Sequence, residues 1–534
     1  MTNEMLYLKG DAYFEPLLNH WYAWPYLLPP VTAARYIVNT HRRIMQSFVK
    51  NYKLHIIASK DSNFTGSEFL NCTEDQVDDI KALIEELDEK CSDLIELSTS
   101  VKQLDDLVYK HTSGESIEYL YPQIPGPLKG CVEIFLDMEH RASYRLIEPL
   151  LYRSSYYKPS LQSLSFGLLA KVGERPFVLS TPRLPDENHM QVNADFNAPI
   201  VDAVFRAREQ PLSSEDIDAL FKNHEQTGGV SYRELFTTEK PTFSHHPVED
   251  GVRLSYTGHA GFLIETKDIS IMVDPIIASR EKGNEELMIS FSELPETIDY
   301  ILLTHTHMDH ANLETLLQLR YKTKMIIVPK NNGGTLADPS LRLLLTQLNF
   351  TVTEVDDLEE ITIPNGRIVS LPFLGEHGDL NIRSKTAWYV EVYGQKCFFG
   401  ADSSNPDPHL YERLGEIFTD LDVLAIGMEC VGAPYTWAYG ALHTKKVSKA
   451  IKNSRRLDGS DCEQALPMVK AFNAKQVYVY AIGLEACFKY FNGLEHDDDS
   501  RQIVESNKFI AACKSINVPA EILYCKKTIT LNSL

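Results

Sequence analysis

Three histidines and an aspartate stand within six residues in the run Thr304-His305-Thr306-His307-Met308-Asp309-His310. Imidazoles and carboxylates are the side chains that bind transition metals. The apolar segment from Ile298 to Leu303 comes directly before them and reads as a buried strand. The motif therefore lies where a strand ends. An extended backbone puts His305 and His307, two apart, on one face. Asp309 and His310 follow where the chain turns, before the helical pattern from Ala311 to Arg320. The spacing predicts two metal positions side by side, one fed by each half of the motif.

A metal pair needs about six to eight protein ligands, and the motif supplies four. Further ligands are expected at later strand ends, because neighbouring strands deliver side chains to one sheet edge. Glu376 and His377 lie in LPFLGEHGDL, Asp402 ends KCFFGAD, and His443 lies in YGALHTKK before a helical pattern. Each follows an apolar or glycine-rich approach, and these are the candidates that complete the site.

The elements that would position them change character near residue 245. Before it, aromatic-rich and helical segments alternate with loops. Thr73 to Gln76 is a capping-box start. Val77, Ile80, Ile84, Leu87, Cys91 and Leu94 then step by three and four, and the pattern resumes through Val101, Leu104 and Val108. This amphipathic helix either packs on its own domain or offers a stripe to a partner. His245 and His246 sit in a proline-flanked loop and carry no chemistry. From Gly251 short strands alternate with helices, as in an α/β domain. Expected strands run from 252 to 257, 261 to 266, 269 to 274, 298 to 304, 325 to 328, 361 to 371, 388 to 393, 397 to 402, 422 to 426 and 476 to 481. Expected helices run from 311 to 320, 341 to 348, 444 to 452 and 462 to 472. The domain boundaries are set at 1–245 and 246–534.

The 534 residues suffice for several cores. The net charge of −22 argues against bulk nucleic-acid binding, which needs a basic footprint. No apolar run reaches the ~18 residues of a membrane span, and no basic-then-apolar leader is visible. Cytoplasmic residence is the expectation. The nine cysteines form no CxxC pair, which argues against a zinc knuckle or iron–sulfur cluster. No GxGxxG dinucleotide fingerprint follows a strand.

HTHMDH, the upstream YTGHAGFLIE and ISIMVDP, and the trailing Asp402 and His443 resemble the metallo-β-lactamase superfamily. The resemblance implies an αβ/βα sandwich with a dinuclear site at the sheet edges. It also implies that Asp402 bridges both metals and that Asp274 orients a ligand from behind. Hydrolases of that superfamily usually place a histidine where GEHGD stands here. With Glu376 in that slot, one metal would have His305, His307 and Glu376, and the other Asp309, His310 and His443, with His377 outside the ligand set. Such a donor set suits iron or manganese at least as well as zinc.

A second resemblance covers the whole chain. DAYFEPLLNHWYAWPYLLPP, HTHMDH, LPFLGEHGDLN, FFGADSSNP and YGALHTKK are similar to the diiron β-hydroxylases of non-ribosomal peptide (antibiotic) biosynthesis, of the chloramphenicol-pathway type. That resemblance implies a separate N-terminal α+β domain, a C-terminal metallo-β-lactamase domain and two oxygen-bridged iron ions. It implies an O2-dependent monooxygenase that hydroxylates Cβ of an aminoacyl thioester on a peptidyl carrier protein, and a homodimer. Glu376 is then the catalytic carboxylate. Carrier proteins are acidic, and Lys445, Lys446, Lys449 and Lys452 offer a local basic face for docking. The alternative on the same fold is a zinc-dependent hydrolase, in which His377 is the ligand.

Overall fold

The computed structural model describes residues 4–61, 64, 69–172, 174–279, 288–493 and 495–532. In the C-terminal half two seven-stranded sheets face each other. The first runs Val352–Val355, Thr323–Pro329, Ile298–Leu302, Ser270–Val273, Gly261–Glu265, Val252–Gly258, Lys527–Leu531. The second runs Glu360–Ile363, Gly366–Leu371, Ala387–Val392, Gln395–Phe399, Val423–Gly427, Val477–Tyr480, Ala520–Ile522. Each has an antiparallel half and a parallel half. Leu254, Phe262, Val273, Trp388, Phe399 and Tyr480 fill the space between them. Helices Leu313–Leu319 and Leu341–Gln347 cover the outer face of the first sheet, and Pro408–Gly415, Cys462–Ala471 and Arg501–Ser515 that of the second. This is the expected αβ/βα sandwich.

Two expected elements differ. The single strand from 361 to 371 is a hairpin, turned at Pro364–Asn365, where Asn365 takes the left-handed backbone that such a turn demands. The helix expected over 444–452 spans only Lys449–Ser454, because Ser448 accepts from the amide of Ile451 and starts it there. Lys445 and Lys446 therefore lie in exposed coil ahead of it.

The N-terminal half holds a five-stranded antiparallel sheet, Trp21–Tyr22, Ala12–Leu18, Gln162–Leu168, His189–Asn193 and Gln226–Gly228. The amphipathic segment is two helices, Val77–Lys90 and Ser92–Tyr109, and the expected capping box starts it. Its stripe of Ile80, Leu83, Leu87, Leu94, Leu97, Val101 and Leu104 is buried in its own half. The stripe is not a free surface for a second copy, since the neighbouring elements already satisfy it. No helix among the described residues is long and apolar enough to cross a membrane.

The two halves share one apolar cluster, in which Phe14 and Trp21 belong to the same core as Leu316 and Leu317. A buried ion network joins them as well. Arg175 donates to Glu15 (2.7 Å) and to Glu314 (2.7 Å), and Arg183 closes on Glu15 at 2.6 Å. Burial pushes the Glu15 carboxyl up, but the two guanidiniums outweigh it and hold it down at about 2. Tyr22 and Tyr490 each donate to Glu314 at 3.0 Å. Glu314 lies in the helix directly after the HTHMDH loop, so this network ties the N-terminal sheet to the element that carries the metal motif.

A second link is Glu148, which accepts from Asn331 Nδ2 (2.8 Å) and from the amide of Ser340 (3.0 Å). Burial outweighs both donors and pushes its carboxyl up to about 7. A value raised in the folded state leaves folding unpenalised below the ordinary 4.5 and penalises it increasingly up to about 7. Urea unfolding should show stability falling between these pH values by a component that Glu148→Gln lacks. Superimposable pH profiles for the two proteins would refute this.

Candidate metal centre

Parallel strands send their C-terminal ends to one edge, where ligands collect. Asp274 follows the strand Ser270–Val273, the HTHMDH loop follows Ile298–Leu302, Asp402 follows Gln395–Phe399, and Glu429 follows Val423–Gly427. Asp274 is fully buried and accepts from the amide of Thr304 (2.8 Å), its hydroxyl (2.5 Å) and His310 Nδ1 (2.8 Å). His310 is thereby turned so that Nε2 faces Asp402 Oδ2 at 3.1 Å.

Three overlapping clusters result, each with ligand atoms within 4.8 Å of one another. The first is His305, His307, Glu376 and His377; the second is His259, Asp309 and His310; the third is His305, His310 and Asp402. The third spans the other two and sets Asp402 between them. Glu376 Oε1 lies against His307 Nδ1 and 3.6 Å from His305 Nε2, and Oε2 lies 2.6 Å from His377 Nδ1. Glu376 holds this place from a left-handed backbone (φ 63°), within a loop whose Gly375 (φ 83°) and Gly378 (φ 57°) allow the reversal. A Cβ at Gly375 would lie 1.7 Å from Ser404 Oγ. Left-handed backbone costs a non-glycine residue roughly 1–2 kcal/mol and persists where the surroundings enforce it.

The site fits a metal pair by its unspent donors. His305 Nε2, His377 Nε2 and Asp402 Oδ1 are buried with no hydrogen-bond partner among the described residues. Buried polar atoms are ordinarily satisfied. Here the residues that carry them belong to the clusters whose ligand atoms stand within 4.8 Å of one another. The electrostatics agree. Burial disfavours charge on His310, but Asp402, Asp274 and Asp309 raise it well above the ordinary imidazole range. Burial raises Glu376, but His307, His377 and His305 hold it well below the carboxylate range. Burial pushes Glu429 well up, and the negative charges of Asp402 and Asp309 add to it.

His305, His307, Asp309, His310, Glu376, His377 and Asp402 are thus brought together. His443 lies outside all three clusters. Its ring stands edge-on to Tyr435 (centroids 5.6 Å), its carbonyl accepts from Arg35 Nη2 (2.8 Å), and burial together with Arg455 and Arg35 keeps its imidazole neutral. Its Nε2 is buried and has no hydrogen-bond partner among the described residues. Beside Asp309 and His310 stands His259, which sequence reasoning left unassigned. It occupies the two-residue turn between Val252–Gly258 and Gly261–Glu265 at φ 49°, with Nε2 3.1 Å from Asp309. Its signal was a lone histidine between glycines in YTGHAG. Glu429 was also missed, since nothing around it in sequence suggests a ligand.

A cavity enclosing about 720 Å³, with its open mouth included, leads to the cluster. His259, His307, Asp309, Glu376, Asp402 and Glu429 form one wall. Trp24, Leu179, Trp437, Leu457, Ile482 and Phe491 are prominent in the rest, and no lysine or arginine lines it among the described residues.

The family profile described as "diiron non-heme beta-hydroxylase N-terminal domain" matches residues 7–241, and a "beta-lactamase superfamily domain" matches residues 270–457. The chain is 35% identical over 532 residues to the 4-amino-L-phenylalanyl-[CmlP-peptidyl-carrier-protein] 3-hydroxylase of Streptomyces venezuelae, over 98% of this chain and 99% of the relative. It matches the crystal structure of CmlA, a diiron beta-hydroxylase from Streptomyces venezuelae, with a TM-score of 0.90 at 33% identity, over 99% of this chain and 100% of that one. A UPF0173 metal-dependent hydrolase from Mesorhizobium japonicum is 32% identical, but over 27% of this chain and 70% of its own length. The hydrolase likeness covers about a quarter of the chain, whereas the hydroxylase likeness runs through both halves. The chain belongs to the diiron non-haem β-hydroxylases.

Proposed function

We propose that this enzyme hydroxylates Cβ of an aminoacyl group held as a thioester on a peptidyl carrier protein of cytoplasmic non-ribosomal peptide assembly. One atom of O2 enters the C–H bond. The other leaves as water, with two protons and two electrons from an external donor. The observation that carries the reading is Glu376, a carboxylate set among imidazoles. His305, His307 and Glu376 would hold one iron, Asp309, His310 and His443 the other, and Asp402 both, with His259 standing beside Asp309 and His310. Bound there, the pair would supply O2 reduction and hydrogen abstraction. The chain's own work is to orient. Asp274 fixes His310, His377 backs the outer oxygen of Glu376, and the apolar walls exclude water and aim Cβ at the metals. Those walls, without a cation, favour a large uncharged side chain.

Iron-loaded, reduced protein given O2 should add one oxygen mass to carriers loaded with aromatic or large aliphatic residues. Glu376→Asp withdraws the carboxylate by one methylene and should keep iron while slowing turnover on the order of 100-fold. A zinc-loaded protein that instead cleaves the thioester, with iron inactive, would sink the reading in favour of a hydrolase.

The carrier would dock on Lys445, Lys446, Lys449 and Lys452. All four lie shortly after Trp437 of the cavity wall, and Lys445, Lys446 and Lys449 are exposed. Lys449→Glu with Lys452→Glu should raise KM for the carrier, an effect that fades as salt rises. An unchanged KM at low salt discards the patch.

We also propose a homodimer formed through the N-terminal half. With the helix stripe buried, the exposed apolar residues Phe135, Met138 and Leu150 on and beside the hairpin Val132–Leu136/Ala142–Leu146 offer the contact. Met138→Glu should shift sedimentation from dimer to monomer. A monomeric wild type, or a mutant that sediments unchanged, rejects this face.

A further inference from the structure

The run from His443 to Arg456 holds six cations, Lys445, Lys446, Lys449, Lys452, Arg455 and Arg456, and no carboxylate, in a chain of net charge −22. The two arginines are engaged. Arg455 Nε donates to the carbonyl of Gly378 at 2.5 Å, and Arg456 lies 3.9 Å from Asp458. None of the four lysines has a carboxylate partner among the described residues. Two apolar groups lie beside them. The helix Lys449–Ser454 buries none of its side chains and leaves Ile451, between Lys449 and Lys452, 43% exposed. Short helices owe their stability to packing, yet this one is held by its Ser448 cap with its side chains still open. Tyr109, the last residue of the helix Ser92–Tyr109, is 71% exposed, and Lys445 Nζ stands 3.1 Å over its ring. Thr444 donates to Asp105, one turn earlier on that helix. The bond fixes the lysine-bearing coil to the helix end and occupies the carboxylate there. Lys110 follows Tyr109 and is exposed.

We infer that the carrier protein docks on a face built by both halves of the chain, with Tyr109 and Ile451 as apolar anchors among the lysines. The inference rests on the carrier-tethered substrate proposed for this enzyme. Lysines at a rim steer an acidic partner and speed its encounter more than they hold it. Lasting affinity comes from a few apolar or aromatic groups near the centre of a contact. This face offers both. It fits a carrier that shows apolar side chains between its carboxylates. One partner can cover the whole of it. Lys445 and Ile451 are six positions apart, at most about 22 Å of chain, and a 100-residue domain has a radius of gyration of about 13 Å. The cavity mouth is close along the same stretch, since Trp437 of its wall precedes Lys445 by eight positions, at most about 29 Å. The N-terminal half then takes part in delivering substrate, through Tyr109 and Lys110 at the end of one helix.

Binding can be read apart from turnover, by anisotropy of a fluorescent carrier domain that bears phosphopantetheine and no amino acid. In the full-length protein, Tyr109→Ala and Ile451→Ala should each raise Kd about 5- to 10-fold. The factor should persist at about 1 M salt, where charges are screened beyond about 3 Å. Lys446→Glu with Lys449→Glu should raise Kd at low salt by a factor that shrinks as salt rises. Ile417→Ala, at a 63% exposed isoleucine after the helix Pro408–Gly415, should leave Kd unchanged. A wild-type Kd in both Tyr109→Ala and Ile451→Ala overturns the inference, as does equal weakening by Ile417→Ala. If the two substitutions instead turn a dimer into monomers, the face belongs to a second copy and the carrier assignment falls. Weakened binding with tethered substrates that are never hydroxylated would fell the proposed reaction and keep the surface. Hydroxylation with binding unmoved would do the reverse.

Discussion

Too many carboxylates share one dry space. Asp274, Asp309, Glu376 and Asp402 all reach into the volume lined by His259, His305, His307, His310 and His377, and Glu429 faces them from the cavity. Burying like charges together is costly unless cations or protons intervene. The opposed displacements record that cost. Asp309 and Glu376 are held down by imidazoles while Asp402 and Glu429 are driven up. Two multivalent cations resolve the conflict at once, and the rest of the architecture is built to keep the donors convergent until they do. Left-handed Glu376, left-handed His259 and left-handed Ala401 beside Asp402 all reflect backbone bent to that end.

Much of this was legible in sequence because local spacing carried it. HTHMDH after an apolar strand needs only the geometry of an extended chain to place His305, His307, Asp309 and His310. Asp402 and Glu376 sit at strand ends and were found the same way. His259 was not, because a turn histidine acquires its meaning only when the parallel edge of the same sheet brings Asp309 beside it. His443 is the expected ligand that falls outside the clusters, with its carbonyl held by Arg35, some 400 residues earlier, a contact that local spacing does not announce. The periodic helix stripe was correct as a pattern, yet periodicity does not say which neighbour covers it.

The N-terminal half is no appendage. It supplies Trp24 to the cavity wall, Tyr26 to a hydrogen bond with Thr306 of the metal loop, and Arg175 to the carboxylates that anchor the helix after that loop. Arg175 also lies 3.4 Å over the ring of Tyr490, next to Phe491 of the cavity. A sandwich domain that elsewhere serves hydrolases thus has part of its pocket and part of its ligand support built by another stretch of chain.

The joint at Glu314 also bears on how such enzymes could be recombined. Cut at the coil 238–251, the sandwich would leave a carboxylate without its guanidinium and a leucine-rich helix face open to water. Chimaeras that exchange front halves between relatives must therefore carry Glu15, Arg175 and Glu314 as a matched set, and the two halves of this protein are bound to diversify in step.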